Sequence, residues 1–124
     1  MTPLTPEQIE ALQQEVYNAA DAGNTKRLQT AIQAAKDGGA DLNWRNPNHD
    51  GWTAVHTVVC DGNDGCLSQL IAAGADVNIA NNAGWTPVFV AAQQGNDGCL
   101  TQLITAGANV NTPENNGMTP LQIA

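Results

Sequence analysis

A repeat with a fixed period of 33 residues restricts the fold of this chain more than any other feature. The segment GNDGCLSQLI at residues 62–71 recurs as GNDGCLTQLI at residues 95–104, with one difference between the copies. Three loop glycines keep the same spacing, at Gly51, Gly84 and Gly117. A constant period of this length is typical of proteins built from small stacked repeats, because no single repeat can bury its apolar face alone.

The period divides one predicted domain, residues 1–124, into four parts. Two full repeats span residues 48–80 and 81–113, and a partial repeat spans residues 114–124. A diverged capping repeat precedes them at residues 5–47. The second half of this capping repeat is longer than its counterpart by about one helical turn, so we predict that its second helix is extended by one turn.

Local signals predict two short helices in each full repeat. Thr53 and Thr86 can cap the first helix, which ends at a glycine, and Asn63 and Asn96 can cap the second helix. Apolar residues recur in the second helix at helical spacing, which predicts that they pack inward. These residues are Cys66, Leu67, Leu70, Ile71 and their equivalents Cys99, Leu100, Leu103 and Ile104.

The segment from Thr5 to Ala22 is predicted to form an amphipathic helix. Thr5 can cap this helix, Pro6 suits its first turn, and Gln8 completes a capping box. Its polar face is expected to be exposed to solvent, as the capping repeat of a stack requires. The stripe that we expect to be buried consists of Ile9, Leu12, Val16 and Ala19 or Ala20.

These spaced residues resemble the ankyrin repeat, whose motif is roughly D-x-x-G-x-T-P-L-H-x-A-A-x-x-G, a second helix, and G-A-D-V-N. The full repeats read NHDGWTAVHTVVCDGNDGCLSQLIAAGADVN and NNAGWTPVFVAAQQGNDGCLTQLITAGANVN, and the partial repeat reads ENNGMTPLQIA. The resemblance covers roughly residues 15–124. Ala54 departs from the motif at the proline, and Phe89 and Gln122 depart from it at the histidine that His56 retains.

The resemblance implies an all-α solenoid of helix-turn-helix repeats joined by hairpin-like loops, with an N-terminal capping repeat. It also implies a non-catalytic protein-binding module that uses a concave face and loop tips. The tryptophans of this surface could contact a partner or could only stiffen the loops. An alternative is a structural spacer or fragment of a longer ankyrin array, attached to an effector or enzyme domain. The implied contact residues are Asp50, Trp52, Ala83, Trp85, Asn116 and Met118 in the loops, and Asp21, Ala22, Cys60, Asp61, Gln93 and Gln94 at the ends of first helices.

The chain is acidic, with a formal net charge of −8, and it has no lysine or arginine after Arg45. Such a surface repels phosphate, so we expect a basic or neutral protein partner rather than nucleic acid or a membrane. No motif for nucleophilic catalysis, metal binding or cofactor binding is present in the sequence. With no signal peptide or transmembrane segment in the sequence, we predict an intracellular protein, cytoplasmic or nuclear.

The individual polar residues that stand out have structural interpretations. Three cysteines without a C-x-x-C pair predict reduced thiols, and Cys66 and Cys99 are predicted to lie in the core. The resemblance implies that His56 makes a hydrogen bond within its repeat, near a neighbouring turn. Asn78 matches a stretch that is hydroxylated in some ankyrin proteins, but a role in its turn is the favoured interpretation.

Two further features leave alternatives open. The loop that contains Trp44 and His49 is two residues longer than the loop of the next repeat. We interpret the extension as a tolerated insertion rather than a contact point, and we expect His49 to be exposed. The partial repeat has no partner helix in this sequence, so we expect fraying there, and either a monomer or weak self-association through this end.

Overall fold

The fold, a computed structural model that describes residues 3–123, consists of seven helices in that range. Each repeat contributes two helices, except the last one, which contributes a single helix within the described residues. Ala124, the final residue of the predicted partial repeat, lies outside them. The helices are α1 (Pro6–Asp21), α2 (Thr25–Asp37), α3 (Ala54–Cys60), α4 (Asp64–Ala72), α5 (Pro87–Gln94), α6 (Asp97–Thr105) and α7 (Pro120–Ile123).

The helices form two layers. The first helices of the repeats, α1, α3, α5 and α7, pack side by side in one layer, and the second helices, α2, α4 and α6, pack side by side in the other. The pairs α1–α2, α3–α4 and α5–α6 join the layers. The loops between repeats contain no named strand in the described part of the chain, although Asn46 and Trp52 form an isolated antiparallel bridge. The predicted all-α solenoid with hairpin-like loops is confirmed.

Most predicted helix signals act as expected. Thr5 and Gln8 form a capping box on α1, and the hydroxyl groups of Thr53 and Thr86 cap α3 and α5. Gly95 ends α5 with a φ of 70°, a left-handed conformation that favours glycine. Helix α2 has 13 residues, whereas α4 and α6 have 9 residues each, which confirms the extra turn.

The core is built from leucine, valine and alanine between the layers. Leu28, Leu67, Leu70 and Leu103 are fully buried, as are Cys66 and Cys99. Burying one such leucine contributes roughly 1.5–3 kcal/mol. The stack therefore depends on aliphatic side chains at the positions that the helical spacing predicted.

Two parts of the predicted core are less buried than expected. Ile104 was expected to pack inward, but it is 50% exposed because no helix in the described residues covers the outer side of α6. Ile9 and Leu12 are only partly buried. They lie in the first half of α1, a helix of 16 residues that extends past its 7-residue neighbour α3. Tyr17, which lies outside the predicted stripe, is buried instead.

The duplicated segment connects each repeat to the one before it. Asn96 Nδ2 donates hydrogen bonds to the carbonyl oxygens of Val59 (2.7 Å) and Cys60 (3.2 Å). The prediction that the Asn96 side chain caps α6 is therefore wrong, since its amide bridges to α3 and makes no capping bond. Asn63 does cap α4, through a bond from the Cys66 amide to Asn63 Oδ1 (3.1 Å).

Other residues of the duplicated segment make the same kind of link. Gln69 Nε2 donates to the Thr25 carbonyl (2.9 Å), and Gln102 Nε2 donates to the Asp64 carbonyl (3.0 Å). The Cys99 thiol donates to Asp64 Oδ1 at 3.1 Å. A Cβ at Gly98 would collide with the same carboxylate, which accounts for a glycine in the first turn of α6. The duplication is thus a scaffold of links between neighbouring repeats.

Candidate functional site

The loops between repeats are hydrogen-bonded to one another in register. The amide of Asn82 donates to the carbonyl of Asp50 (2.8 Å), and the amide of Asn115 donates to the carbonyl of Ala83 (2.9 Å). Asp50 has a φ of 51°, a left-handed conformation that aspartate tolerates better than most residues. The loop tips therefore form a continuous row, in which Asp50 and Asn116 are exposed and Ala83 is partly buried.

Each loop is closed by one backbone bond just before its first helix. Asn81 N–H donates to the Trp85 carbonyl (2.9 Å), and Glu114 N–H donates to the Met118 carbonyl (2.8 Å). The bond from Asn46 N–H to the Trp52 carbonyl (2.9 Å) closes the longer loop. Trp52, Trp85 and Met118 consequently occupy equivalent positions at the entrance of successive repeats.

The longer loop brings an aromatic group into contact with Trp52. The His49 ring stacks on the Trp52 indole, with centroids 4.9 Å apart and an interplanar angle of 6°. The Tyr17 hydroxyl is hydrogen-bonded to His49 Nδ1, and the Tyr17 ring meets Trp44 edge-on at 6.2 Å. We call these side chains, together with His56, the aromatic cluster: Tyr17, Trp44, His49, Trp52 and His56.

The aromatic cluster shows what the longer loop contacts. His49 is exposed, as expected, yet it connects α1 to the loop that carries Trp52. The loop that contains the extension therefore packs against α1 through His49 and Trp44, and the two extra residues themselves remain interpreted as a tolerated insertion. Tyr17 is not among the residues predicted from the sequence, although its position three residues before the buried Ala20 is a helical spacing that could have identified it.

His56 lies under this surface and is fully buried. Its Nδ1 accepts a bond from the Thr53 amide (3.0 Å), and its Nε2 donates to the carbonyl of Trp85 in the next repeat (2.8 Å). Burial lowers the pKa of His56 to about 4, so the imidazole is neutral at pH 7. The hydrogen bond within the repeat that the resemblance implied is present, and the bond to Trp85 extends it across two repeats.

Trp52 and Trp85 are each partly buried and partly open to solvent. Trp85 packs on Phe89 with ring centroids 5.3 Å apart, and Trp52 lies over His56 at 5.6 Å. Met118 continues the row and is exposed. Each indole ring packs on its own loop and is also partly open to solvent. The tryptophans are therefore compatible with both interpretations, a contact with a partner and a role in stiffening the loops.

The ends of the first helices are mostly open to solvent. Asp21, Asp61, Ala22, Gln93 and Gln94 are exposed, and Cys60 is partly buried. Burial raises the pKa of Asp61 above its usual value, and the charge of Asp21 adds to the increase. Burial raises the pKa of Tyr17, and the charges of Asp21 and Asp61 add to the effect. The acidic ends of α1 and α3 are thus near enough to Tyr17 of the aromatic cluster for their charges to affect its pKa.

The three cysteines are free thiols in different environments. Burial raises the pKa of Cys99 to about 12, and the bonded carboxylate of Asp64 contributes to this increase. Cys66 is fully buried, and burial raises its pKa as well. The predicted core location of Cys66 and Cys99 is confirmed, and only Cys60 is within reach of a solvent reagent.

We expect a disulfide reagent to modify one thiol of the native chain. Cys60 should react first, although slowly, because burial raises its pKa and lowers its thiolate fraction. Cys66 and Cys99 should react only after urea unfolds the chain. Thiol counting by absorbance in the native and unfolded protein measures this, with Cys60→Ser as the control. Fast reaction of the native Cys60→Ser protein would contradict the assignment.

Between residues 3 and 123, no three His, Cys, Asp or Glu side chains converge as potential metal ligands. No helix in the same range is both long enough and apolar enough to cross a membrane.

Comparison with known proteins identifies the repeat. A family model described as ankyrin repeats (3 copies) matches residues 16–114. The chain is 36% identical over 69 residues to the Notch-regulated ankyrin repeat-containing protein of Xenopus tropicalis, covering 56% of this chain and 59% of that protein. It is 35% identical over 71 residues to the Notch-regulated ankyrin repeat-containing protein A of Danio rerio, covering 57% of this chain and 62% of that protein. The match thus spans less than two thirds of each curated relative.

Proposed function

The chain belongs to the ankyrin-repeat family, and from that premise we propose that it binds a protein partner through its loop tips and first-helix ends. Ankyrin repeats generally serve as protein–protein interaction modules, and proteins of this family are generally non-catalytic. The proposed contact surface joins the loop tips to the ends of α1, α3 and α5. Its residues are Asp50, Trp52, Ala83, Trp85, Asn116 and Met118 in the loops, and Asp21, Ala22, Cys60, Asp61, Gln93 and Gln94 at the helix ends. The surface is further proposed to be the concave one.

The observation that carries this proposal is the pair of partly exposed tryptophans at equivalent positions of successive repeats. Trp52 is held by His49 and His56, and Trp85 is held by Phe89 and by the bond from His56 to its carbonyl. Rings that are already fixed lose little conformational entropy on binding. Tryptophan is also enriched among the residues that dominate interface energies.

The charges on this surface favour a basic or neutral partner. Asp21 and Asp61 lie close enough for the charge of one to raise the pKa of the other. In residues 3–123, the salt bridge that the structure forms joins Arg27 to Glu15, so neither aspartate is neutralised by a lysine or arginine. A lysine or arginine of the partner would relieve this repulsion, while Gln93 and Gln94 offer neutral hydrogen-bonding groups.

The intracellular location, cytoplasmic or nuclear, remains a prediction from the sequence.

We expect the double variant Trp52→Ala/Trp85→Ala to bind partners at least about tenfold more weakly, a loss of about 1.4 kcal/mol or more. Partners are first captured on the immobilised chain from cell extract, and each is then produced alone for affinity measurement by interferometry. The matched control is Gln29→Ala/Gln33→Ala on α2, in the opposite layer, which should leave the affinity unchanged. Circular dichroism verifies that both variants fold.

The hot-spot proposal fails if the folded tryptophan variant stays within about 0.5 kcal/mol of the original affinity. If the α2 control weakens binding instead, the partner uses the opposite layer, which also contradicts the proposed surface.

A further inference from the structure

Trp52 and Trp85, the two tryptophans of the proposed contact surface, share one kind of support. Trp52 packs on His56 with ring centroids 5.6 Å apart, and Trp85 packs on Phe89 with ring centroids 5.3 Å apart. His56 and Phe89 are equivalent residues of α3 and α5, and both are buried. Both indoles remain partly open to solvent, and a partly open side chain keeps some rotamer freedom.

A second ring supports Trp52 from its own loop. The His49 imidazole lies nearly parallel to the indole, at an interplanar angle of 6°. The equivalent of His49 in the next loop is Asn82, which has no ring to stack on Trp85. Asn82 Oδ1 instead accepts a bond from Arg45 Nη2 at 3.0 Å. The two tryptophans therefore differ in their support, and Trp85 can serve as the control for Trp52.

The buried residue Tyr17 of α1 holds the His49 ring in this stacked position. The Tyr17 hydroxyl group is hydrogen-bonded to His49 Nδ1, and the two rings meet edge-on with centroids 6.0 Å apart. His49 itself is exposed, so its surroundings restrict its side chain little without this bond. Because Tyr17 is only 5% exposed, packing fixes its ring, and its hydroxyl group is a fixed partner for His49.

We propose that Tyr17 and His49 are positioning residues, which hold the Trp52 indole in the orientation that a protein partner binds. The inference rests on the proposed function, because it requires Trp52 to contact the partner. An indole that is restricted beforehand loses less conformational entropy on binding. The affinity therefore depends on a buried hydroxyl group of the capping repeat, to which a partner has almost no access.

Replacing Tyr17 with phenylalanine tests this role, because Tyr17→Phe removes the hydroxyl group and keeps the ring that meets Trp44 edge-on. The variant should bind the isolated partners of the 124-residue chain about three- to tenfold more weakly. A loss of this size is expected when one more side chain has to be ordered on binding. Interferometry measures it, as for the tryptophan variants.

A double-mutant cycle separates the positioning role from a general loosening of the fold. His49→Phe keeps a ring that can stack on Trp52 but has no nitrogen to bond the Tyr17 hydroxyl group. In the His49→Phe background, Tyr17→Phe should therefore weaken binding further by less than about twofold. A purely structural role of Tyr17 would instead give the same loss of affinity in both backgrounds.

NMR relaxation of the indole N–H groups reports the restraint in the free chain, with Trp85 as the internal control. In Tyr17→Phe and in His49→Ala, the heteronuclear NOE of the Trp52 indole should fall, while that of Trp85 stays unchanged. His49→Ala is the second variant because its exposed position carries little risk of unfolding the chain. Urea unfolding verifies that each variant is folded.

The results distinguish a failure of the positioning role from a failure of the proposed function. The positioning role alone is overturned if folded Tyr17→Phe keeps its affinity within about twofold while Trp52→Ala/Trp85→Ala loses affinity. An equal fall in the NOE of Trp52 and Trp85 overturns it as well. Original affinity in the double tryptophan variant overturns the proposed function, and the positioning role with it.

Discussion

Replacing His56 with alanine is expected to lower the free energy of unfolding by about 3–4 kcal/mol. The substitution opens a cavity in a site that is fully buried. It also removes the partner of the Thr53 amide and the partner of the Trp85 carbonyl, both of which His56 satisfies at 3.0 Å or less. Because one imidazole is hydrogen-bonded to two successive repeats, a single substitution destabilises both of them.

Urea unfolding monitored by circular dichroism measures this loss. Gln122→Ala is the matched control, since Gln122 occupies the same motif position in the last repeat but is exposed. Among the described residues the Gln122 side chain accepts bonds only from Thr119, so its loss should cost no more than about 1 kcal/mol. His56→Phe, which reproduces the residue found at position 89, keeps most of the volume and isolates the contribution of the hydrogen bonds. A loss below about 1 kcal/mol in His56→Ala would contradict the structural role of this residue.

Acidification is expected to remove about 3 kcal/mol of stability through the same histidine. The pKa of His56 is about 4 in the folded chain, against an ordinary value of 6.5 when the chain is unfolded. Between these values the unfolded state binds the proton and the folded state does not, so stability falls as the pH falls. The contribution is fully present above about pH 6.5 and is lost once the pH has fallen through about 4.

Unfolding free energies of the original chain and His56→Phe, measured at pH 7, 6, 5 and 4, isolate this effect. The difference between the two proteins should change by about 3 kcal/mol over this range. Two exposed carboxyl groups also have shifted pKa values: Glu15, lowered by its bond with Arg27, and Asp61, raised by burial and Asp21. Both groups titrate equally in the two proteins, and so they cancel. A difference that stays constant from pH 7 to pH 4 would show that His56 does not remain neutral in the folded chain.

The parts of the fold that the sequence predicted depend on signals within one or two helical turns. The capping box at Thr5, the threonine cap at Thr53 and the extra turn of α2 are local, and the structure contains all of them. The period of 33 residues then supplies the packing of one repeat on the next. The helical spacing of Cys66 and Cys99 with the apolar residues that follow them predicts that both lie in the core.

The parts that the sequence did not predict depend on contacts between repeats. The role of the Asn96 amide is decided by two carbonyl groups of α3, far away in the chain. The contact of Tyr17 with His49 requires knowing how α1 meets the extended loop. Ile104 matches the buried pattern locally, and its exposure follows only from what packs beside α6. The candidate contact residues remain a proposal, because binding depends on the chemistry of a partner as well as on exposure.

The longer loop, which contains His49, also affects how the solenoid unfolds. In a linear array, the energy that couples neighbouring repeats decides whether they open separately or together. Stacking on Trp52 and bonding to Tyr17 place His49 across the boundary between the capping repeat and the first full repeat. We therefore expect these two repeats to unfold together as one cooperative foldon. We expect the far end, where α7 is a helix of 4 residues, to open separately and at a lower free energy.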